Sequence, residues 1–221
     1  MVFDFNNLTA LQIPEGSVAE IAIGGQTVWS AEKWDLSWVY HGNLPGSEEW
    51  NYTPGADTVF VDAEKGAVVV KSPDLNAWTT LSAGLKTGFL FSSPSVLEIE
   101  FMYGSAGTAG KTVVELGVSP DRCVRCEMSQ SSNGDARIST PYKNEAGTIS
   151  IPNRELTKDE WHTLRIELDE GMKSFALLDG EVLMEYDYSM LYTPGREGAS
   201  LMALNASVWI RKLRYKGYVP A

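Results

Sequence analysis

Residues able to do chemistry are sparse in this chain. It holds two histidines, His41 and His162, and two cysteines, Cys123 and Cys126, in 221 residues. Two histidines leave few ligands for a transition-metal site, and neither a Gly-x-Ser-x-Gly elbow nor a phosphate-cradling loop occurs. The cysteines sit in RCVRCEM, three apart in a stretch that alternates like a strand, which puts them on opposite faces. They read as unpaired thiols, because two alone do not complete a four-ligand zinc site and a redox pair wants a helix N-terminus to stabilise its thiolate. His162 reads as a surface imidazole on a strand whose inward set is Trp161, Leu164, Ile166 and Leu168, with Arg165 and Glu167 outward. Carboxylates are left as the acid–base candidates.

Those carboxylates also set the field around the molecule. Lys plus Arg is 18 against 29 Asp plus Glu, a formal charge of −11, which repels phosphate backbones and anionic lipid. Nucleic acid and membrane insertion are therefore not expected. No window approaches the roughly 18 apolar residues of a membrane helix. The opening MVFDFNNLTALQ lacks the basic and apolar regions of an export signal, so the expected location is cytoplasmic, or virion-borne or extracellular if a phage encodes the chain.

The elements that must position any site are strands. Runs of five to eight residues rich in β-branched and aromatic side chains alternate with Gly, Pro, Asn and Asp clusters. Candidate strands are 18–23, 26–30, 36–40, 58–62, 67–71, 78–83, 88–91, 96–103, 112–118, 122–129, 136–140, 147–151, 161–168, 173–178, 181–186, 199–204 and 207–216. So many short strands predict an all-β sandwich or barrel rather than a parallel α/β sheet. Within 161–186, Asp179-Gly180 supplies the positive φ of a tight two-residue hairpin, so the segment reads as a three-stranded antiparallel meander. Residues 1–32, with turn chemistry at Pro14-Glu15-Gly16 and Gly24-Gly25, read as a small N-terminal attachment element, or alternatively as the first strands of one domain; 33–221 form the main domain.

The order HGNLPGSEEW, TVFVDAEKGAVVVKS, LSAGLKT, FLF and VLEIEF, then the 161–186 meander and SVWIRKLRYKGY, resembles the concanavalin A-like lectin/glucanase superfamily over about residues 34–219. Laminarinase-type (family 16) glycoside hydrolases are the nearest pattern. The resemblance implies a jelly-roll sandwich of two antiparallel sheets. Enzymes of that type carry a Glu-x-Asp-x-x-Glu strand, whose period-two spacing sets carboxylates on one face. Laid on VVELGVSP, that pattern gives Glu115, Gly117 and Pro120, so one carboxylate survives. A retaining hydrolase needs a nucleophile and an acid together, which argues against that activity. A divergent hydrolase of the same fold stays open as an alternative, with Glu98, Glu100, Glu115 or Glu127 as its candidates.

The binding alternative rests on aromatic residues, because the C–H faces of sugars pack on flat rings while polar side chains take the hydroxyls. Trp34, Trp38, Trp50, Trp78, Trp161 and Trp209 are many for one core, and the resemblance makes Trp161 and Trp209 structural. It also sets Tyr103 and Tyr142 near loops bordering a concave groove, with Trp78 on a strand entering it. Asn133 and Asp135 offer polar contacts or form a turn, and Glu115 is a further candidate contact. The acidic loops 57–64 and 167–170 offer oxygen ligands for calcium, without the spacing of a known calcium loop; no other cofactor is indicated.

The N-terminal LQIPEGSVAEIAIGGQTVWS resembles a short segment at the start of bacteriophage tail and virion surface proteins, through Leu11, Ile13, Pro14, Glu15, Gly16, Val18, Ile21, Gly25 and Trp29. The expected function is a non-catalytic, lectin-like module binding a glycan or cell-surface polysaccharide. A shallow groove binds one sugar weakly, which makes a homo-oligomer a route to avidity. A structural decoration protein without sugar binding is the other alternative.

Overall fold

The structure is a computed structural model. It describes residues 11–13, 16–18, 20–23, 26–30, 33–55, 58–74, 76–84, 89–119, 122–130, 135–140, 142–143, 149–157, 159–170, 173–186 and 198–220. The chain divides into two compact units, Met1–Trp34 and Asp35–Ala221. In the first, β1 (Leu11–Ile13) pairs antiparallel with β2 (Gly16–Val18), and β3 (Glu20–Ile23) pairs with β4 (Gln26–Ser30). The stretch read as one strand over 18–23 is thus shared between two hairpins. Pro14, Glu15, Gly24 and Gly25 lie outside the described residues.

The second unit is built from β5 (Leu36–Val39), β6 (Trp50–Tyr52), β7 (Val59–Asp62), β8 (Ala67–Ser72), β9 (Thr79–Ala83), β10 (Phe89–Ser119), β11 (Arg122–Gln130), β12 (Ala136–Ser139), β13 (Tyr142–Lys143), β14 (Ile149–Ser150), β15 (Asn153–Leu156), β16 (Trp161–Leu168), β17 (Ser174–Leu178), β18 (Glu181–Tyr186) and β19 (Gly198–Pro220). Two long strands, β10 and β19, run antiparallel from Phe89↔Pro220 to Gly117↔Gly198 and form its spine. Along the early part of β10 lie β16, β17 and β18, and along its late part lie β11, β12 and β15. On the far side of β19, β9, β8 and β5 follow one another, with β6 outside β9 and β7 outside β8.

The spine changes register between Tyr103 and Ala106 and again between Ala106 and Lys111. Such irregularities bend a strand and raise its twist, and both arms of the bent sheet supply one core. Leu97, Ile99, Phe101, Leu164 and Ile166 of the first arm join Val114, Leu116, Val124, Met128 and Leu201 of the second in a single buried cluster. The result is the expected antiparallel jelly-roll sandwich of the concanavalin A-like type. The expected strands 88–91, 96–103 and 112–118 are one continuous strand, β10. Gly, Ser and Pro mark bulges as well as turns, and here they sit at register shifts.

The meander forms as expected, β16 against β17 and β17 against β18, with Asp179 at φ 53° and Gly180 at φ 80° in its turn. Its facing does not follow the expectation throughout. Burial along β16 alternates strictly, so His162 joins Leu164, Ile166 and Leu168 inside, while Trp161 stands with Arg165 and Glu167 on the outer face. An inward set of 161, 164, 166 and 168 breaks period two between its first two members, and the strand obeys the period. Cys126 is a buried free thiol whose pKa is pushed far up by desolvation.

Candidate functional site

The second arm of the sheet turns a polar face outward, and the ladder registers line that face up row by row. Directly opposed residues share a face of a sheet. Asn51 pairs with Ser82, Ser82 with Ser200, Ser200 with Glu115 and Glu115 with Arg125, a polar row across five strands from β6 to β11. The next row runs Thr80, Met202, Val113, Glu127, Ser139 and Asn153. The intervening residues, such as Leu81, Leu116, Val124 and Leu201, face the core. Alternation in each strand therefore builds an apolar inner surface and a hydroxyl-rich outer one from the same segments.

At the β6–β9 end this face deepens into a groove of about 590 Å³. Its floor and walls carry Asn51, Thr80 and Ser82 from the polar rows, with Ser47, Thr53 and Thr58 from the neighbouring loop. Trp50 and Tyr52 complete the β6 side. The loop is held by its own hydrogen bonds. Tyr52 Oη donates to Pro45 O at 2.7 Å, Thr58 Oγ1 to Thr53 O at 2.7 Å, and the amide of Trp50 to Gly46 O at 2.9 Å. Trp78, just before β9, lines the groove and is 42% exposed. Most tryptophans hide better than this: Trp38 and Trp50 are buried in the core.

Beside the groove lies an ionic cluster. Arg125 Nη1 donates to Glu115 Oε1 at 2.8 Å and Arg125 Nε to Glu127 Oε1 at 2.6 Å, so one guanidinium ties two carboxylates from adjacent strands. Lys111 Nζ lies 3.5 Å from Glu127 and 6.0 Å from the centre of the Trp78 ring. Glu115 is only 4% exposed, and a buried carboxylate is tolerated when paired in this way. Ser200, its neighbour in the row, has a buried hydroxyl without a hydrogen-bond partner.

The expected site residues divide between places. Trp78 and Glu115 lie on this face, at the groove wall and in the ionic cluster. Tyr103 does not border the groove: it is wholly buried in the core, and burial pushes its phenol up to about 12, because its position on β10 has the parity of Ile99 and Phe101. Asp135 is exposed just ahead of β12 and does not line the groove. Asn133 and the side chain of Tyr142 lie outside the described residues. Of the carboxylates weighed for hydrolysis, Glu98 and Glu100 sit on the outward face of the other arm. There Glu98 meets Lys212 at 2.6 Å, and Arg211 donates to Glu100 at 2.6 Å, which holds that carboxyl below its usual range. The four candidates therefore form two separate pairs.

Sequence reasoning missed the hydroxyl and amide lining at Asn51, Thr80 and Ser82, and Arg125 as the tie between the carboxylates. Alternation could have found Thr80 and Ser82, since they repeat at period two from Trp78. Asn51 and Arg125 become visible only through cross-strand register. In the two loops weighed for calcium, carboxylates already serve as local acceptors: Asp62 for Trp209 Nε1 and the Lys65 amide, Asp169 for the Lys173 amide. No group of three or more His, Cys, Asp and Glu side chains placed to hold a metal occurs among the described residues.

No family model and no curated protein matches the chain in sequence. Solved structures do match in fold. The apo Crh5 transglycosylase superposes with a TM-score of 0.59 at 12% identity, covering 84% of this chain and 85% of that one. A family 16 glycosyl hydrolase from Mycobacterium smegmatis gives 0.56 at 13% identity over 83% of this chain and all of the other. The endo-β-1,3-glucanase from Pyrococcus furiosus gives 0.55 at 14% identity over 92% of this chain and all of the other. At such identities the likeness is one of fold alone, that of a concanavalin A-like jelly roll.

Proposed function

We propose that the jelly-roll unit is a carbohydrate-binding module whose ligand lies in the groove against Trp78. The observation that carries this reading is an aromatic ring, 42% exposed, at the wall of a groove otherwise lined largely by hydroxyls and an amide. A sugar ring needs that combination, a flat apolar surface for its C–H face and donors and acceptors for its hydroxyls. The loop hydrogen bonds around Tyr52 and Thr58 preform the wall, which lowers the ordering cost of binding. Similarity in fold to a transglycosylase and to glucanases supports the same class of ligand.

Binding without hydrolysis is the form of the proposal. Glu115 and Glu127 share one face, which favours hydrolysis as the second reading, but each gives an oxygen to Arg125. A nucleophile and an acid must instead reach the anomeric carbon and the leaving oxygen. The N-terminal unit serves as the attachment element on a virion surface, a role supported by its sequence pattern, and display in several copies compensates for weak binding at one groove. A glycan-array screen of the protein beside Trp78→Ala tests the reading. A hit that the variant loses, with no reducing ends released from the same glycan, is the expected result. A blank array moves the weight to a structural decoration protein.

A further inference from the structure

We infer that the groove selects uncharged glycans and rejects polyuronates and sulfated polysaccharides. This deepens the carbohydrate-binding reading above and rests on it. Among the described residues, none of those lining the groove is an acid or a base that is charged at neutral pH. Tyr52, the lining group that titrates, stays a neutral phenol: burial, and then Glu48, raise its pKa further. A charged substituent entering the groove would therefore lose water and find no counter-charge, a cost that hydroxyl donors only partly offset.

The two cations of the neighbouring ionic cluster are already committed. Arg125 is bound to Glu115 and Glu127 at once, and Lys111 lies beside Glu127. Two positive and two negative groups close on one another, so the cluster offers a passing polyanion no net attraction. Further along the face, Arg137 has Glu155 at 3.9 Å. The chain as a whole carries −11, and that field slows the approach of any polyanion, most at low salt. An alternating row of hydroxyls, an amide and one indole retains what a neutral sugar uses.

The discriminating experiment is affinity electrophoresis of the full chain at low salt in gels carrying laminarin, mannan or hydroxyethylcellulose as neutral probes, and polygalacturonate or carrageenan as anionic ones. The wild type is expected to be retarded by at least one neutral polymer, and roughly tenfold or more weakly by either anionic polymer, because a charged substituent loses water in the groove without gaining a counter-charge. Glu127→Gln removes the carboxylate that holds Lys111 and half of the Arg125 clamp. It is expected to gain retardation in polygalacturonate that disappears when salt is added. Wild-type binding to either anionic polymer as tight as to the neutral ones overturns the inference while leaving glycan binding intact. So does a Glu127→Gln variant, folded by circular dichroism, that gains nothing. No retardation in any gel overturns the inference together with the reading beneath it.

Discussion

His162 Nδ1 lies 2.8 Å from Asp179 Oδ2, while Asp179 Oδ1 accepts the amide of Thr163 at 2.8 Å. One carboxylate thereby fastens the turn between β17 and β18 to the start of β16, and the ring's Nε2 reaches Thr157 O at 3.1 Å. Asp179 does this from a left-handed conformation, φ 53°, which Asp tolerates and Ala resists. Asp179→Ala loses both hydrogen bonds and strains the turn. With the carboxylate half exposed, the expected cost is about 2 kcal/mol in urea unfolding, and a change near zero would show that the turn does not depend on this clasp.

Gly104 marks a close approach across the spine. A Cβ built there would lie 2.1 Å from Trp209 Cζ3 and 2.9 Å from Ser207 O, and the backbone oxygen has little freedom to retreat. Trp209 is itself fixed, its Nε1 donating to Asp62 Oδ2 at 2.8 Å with Lys65 Nζ 4.6 Å from the ring centre. Gly104→Ala is expected to cost about 2–3 kcal/mol by overpacking, read as a lowered midpoint in urea. Unchanged stability would contradict the packing at the bend.

On the acid side, Glu100 is held low by Arg211 and Asp62 by the Trp209 indole. Carboxyls with depressed folded pKa values contribute stability that is present above the unfolded values, about 4, and is lost as pH falls through the folded ones. The thermal midpoint should therefore drop steeply below about pH 4. Glu100→Gln should flatten that limb, and a limb of unchanged slope would count against the pairing.

On the alkaline side, burial raises the phenols of Tyr103 and Tyr218 to about 12 and that of Tyr215 beyond them. An unfolded tyrosine ionises near 10, so the unfolded chain loses protons first and stability falls as pH rises from about 10 towards 12. The tyrosinate absorbance of these buried phenols should appear together with the loss of β-sheet circular dichroism. A single transition near 10 with the fold intact would contradict the burial.

Much of this architecture is legible in the sequence, and the part that is not has physical causes. Alternation at β16 and the Asp179-Gly180 turn identify the meander, because strand period and positive φ are local properties. His162 and Trp161 stand on the faces opposite to those their residue types suggest, because parity outweighs type within a strand. Trp78 was legible as an aromatic at a strand start, whereas Tyr103, drawn towards the groove by family resemblance, has core parity that its own neighbours Ile99 and Phe101 display. Asn51 enters the site only through its pairing with β9, well removed in the chain, and Arg125 only through the β10–β11 register, which residue type alone does not encode.

The proposed site turns on Trp78 as the ring that holds a sugar. Trp78 makes little of the core, so Trp78→Ala should leave urea stability within about 0.5 kcal/mol of the wild type. Isothermal titration of both proteins with the glycan identified by the array measures its role directly. Binding at least about tenfold weaker is expected for the variant, the loss of about 1.4 kcal/mol of ring stacking, with no reducing ends released by either protein. Equal affinity of the two proteins would contradict it.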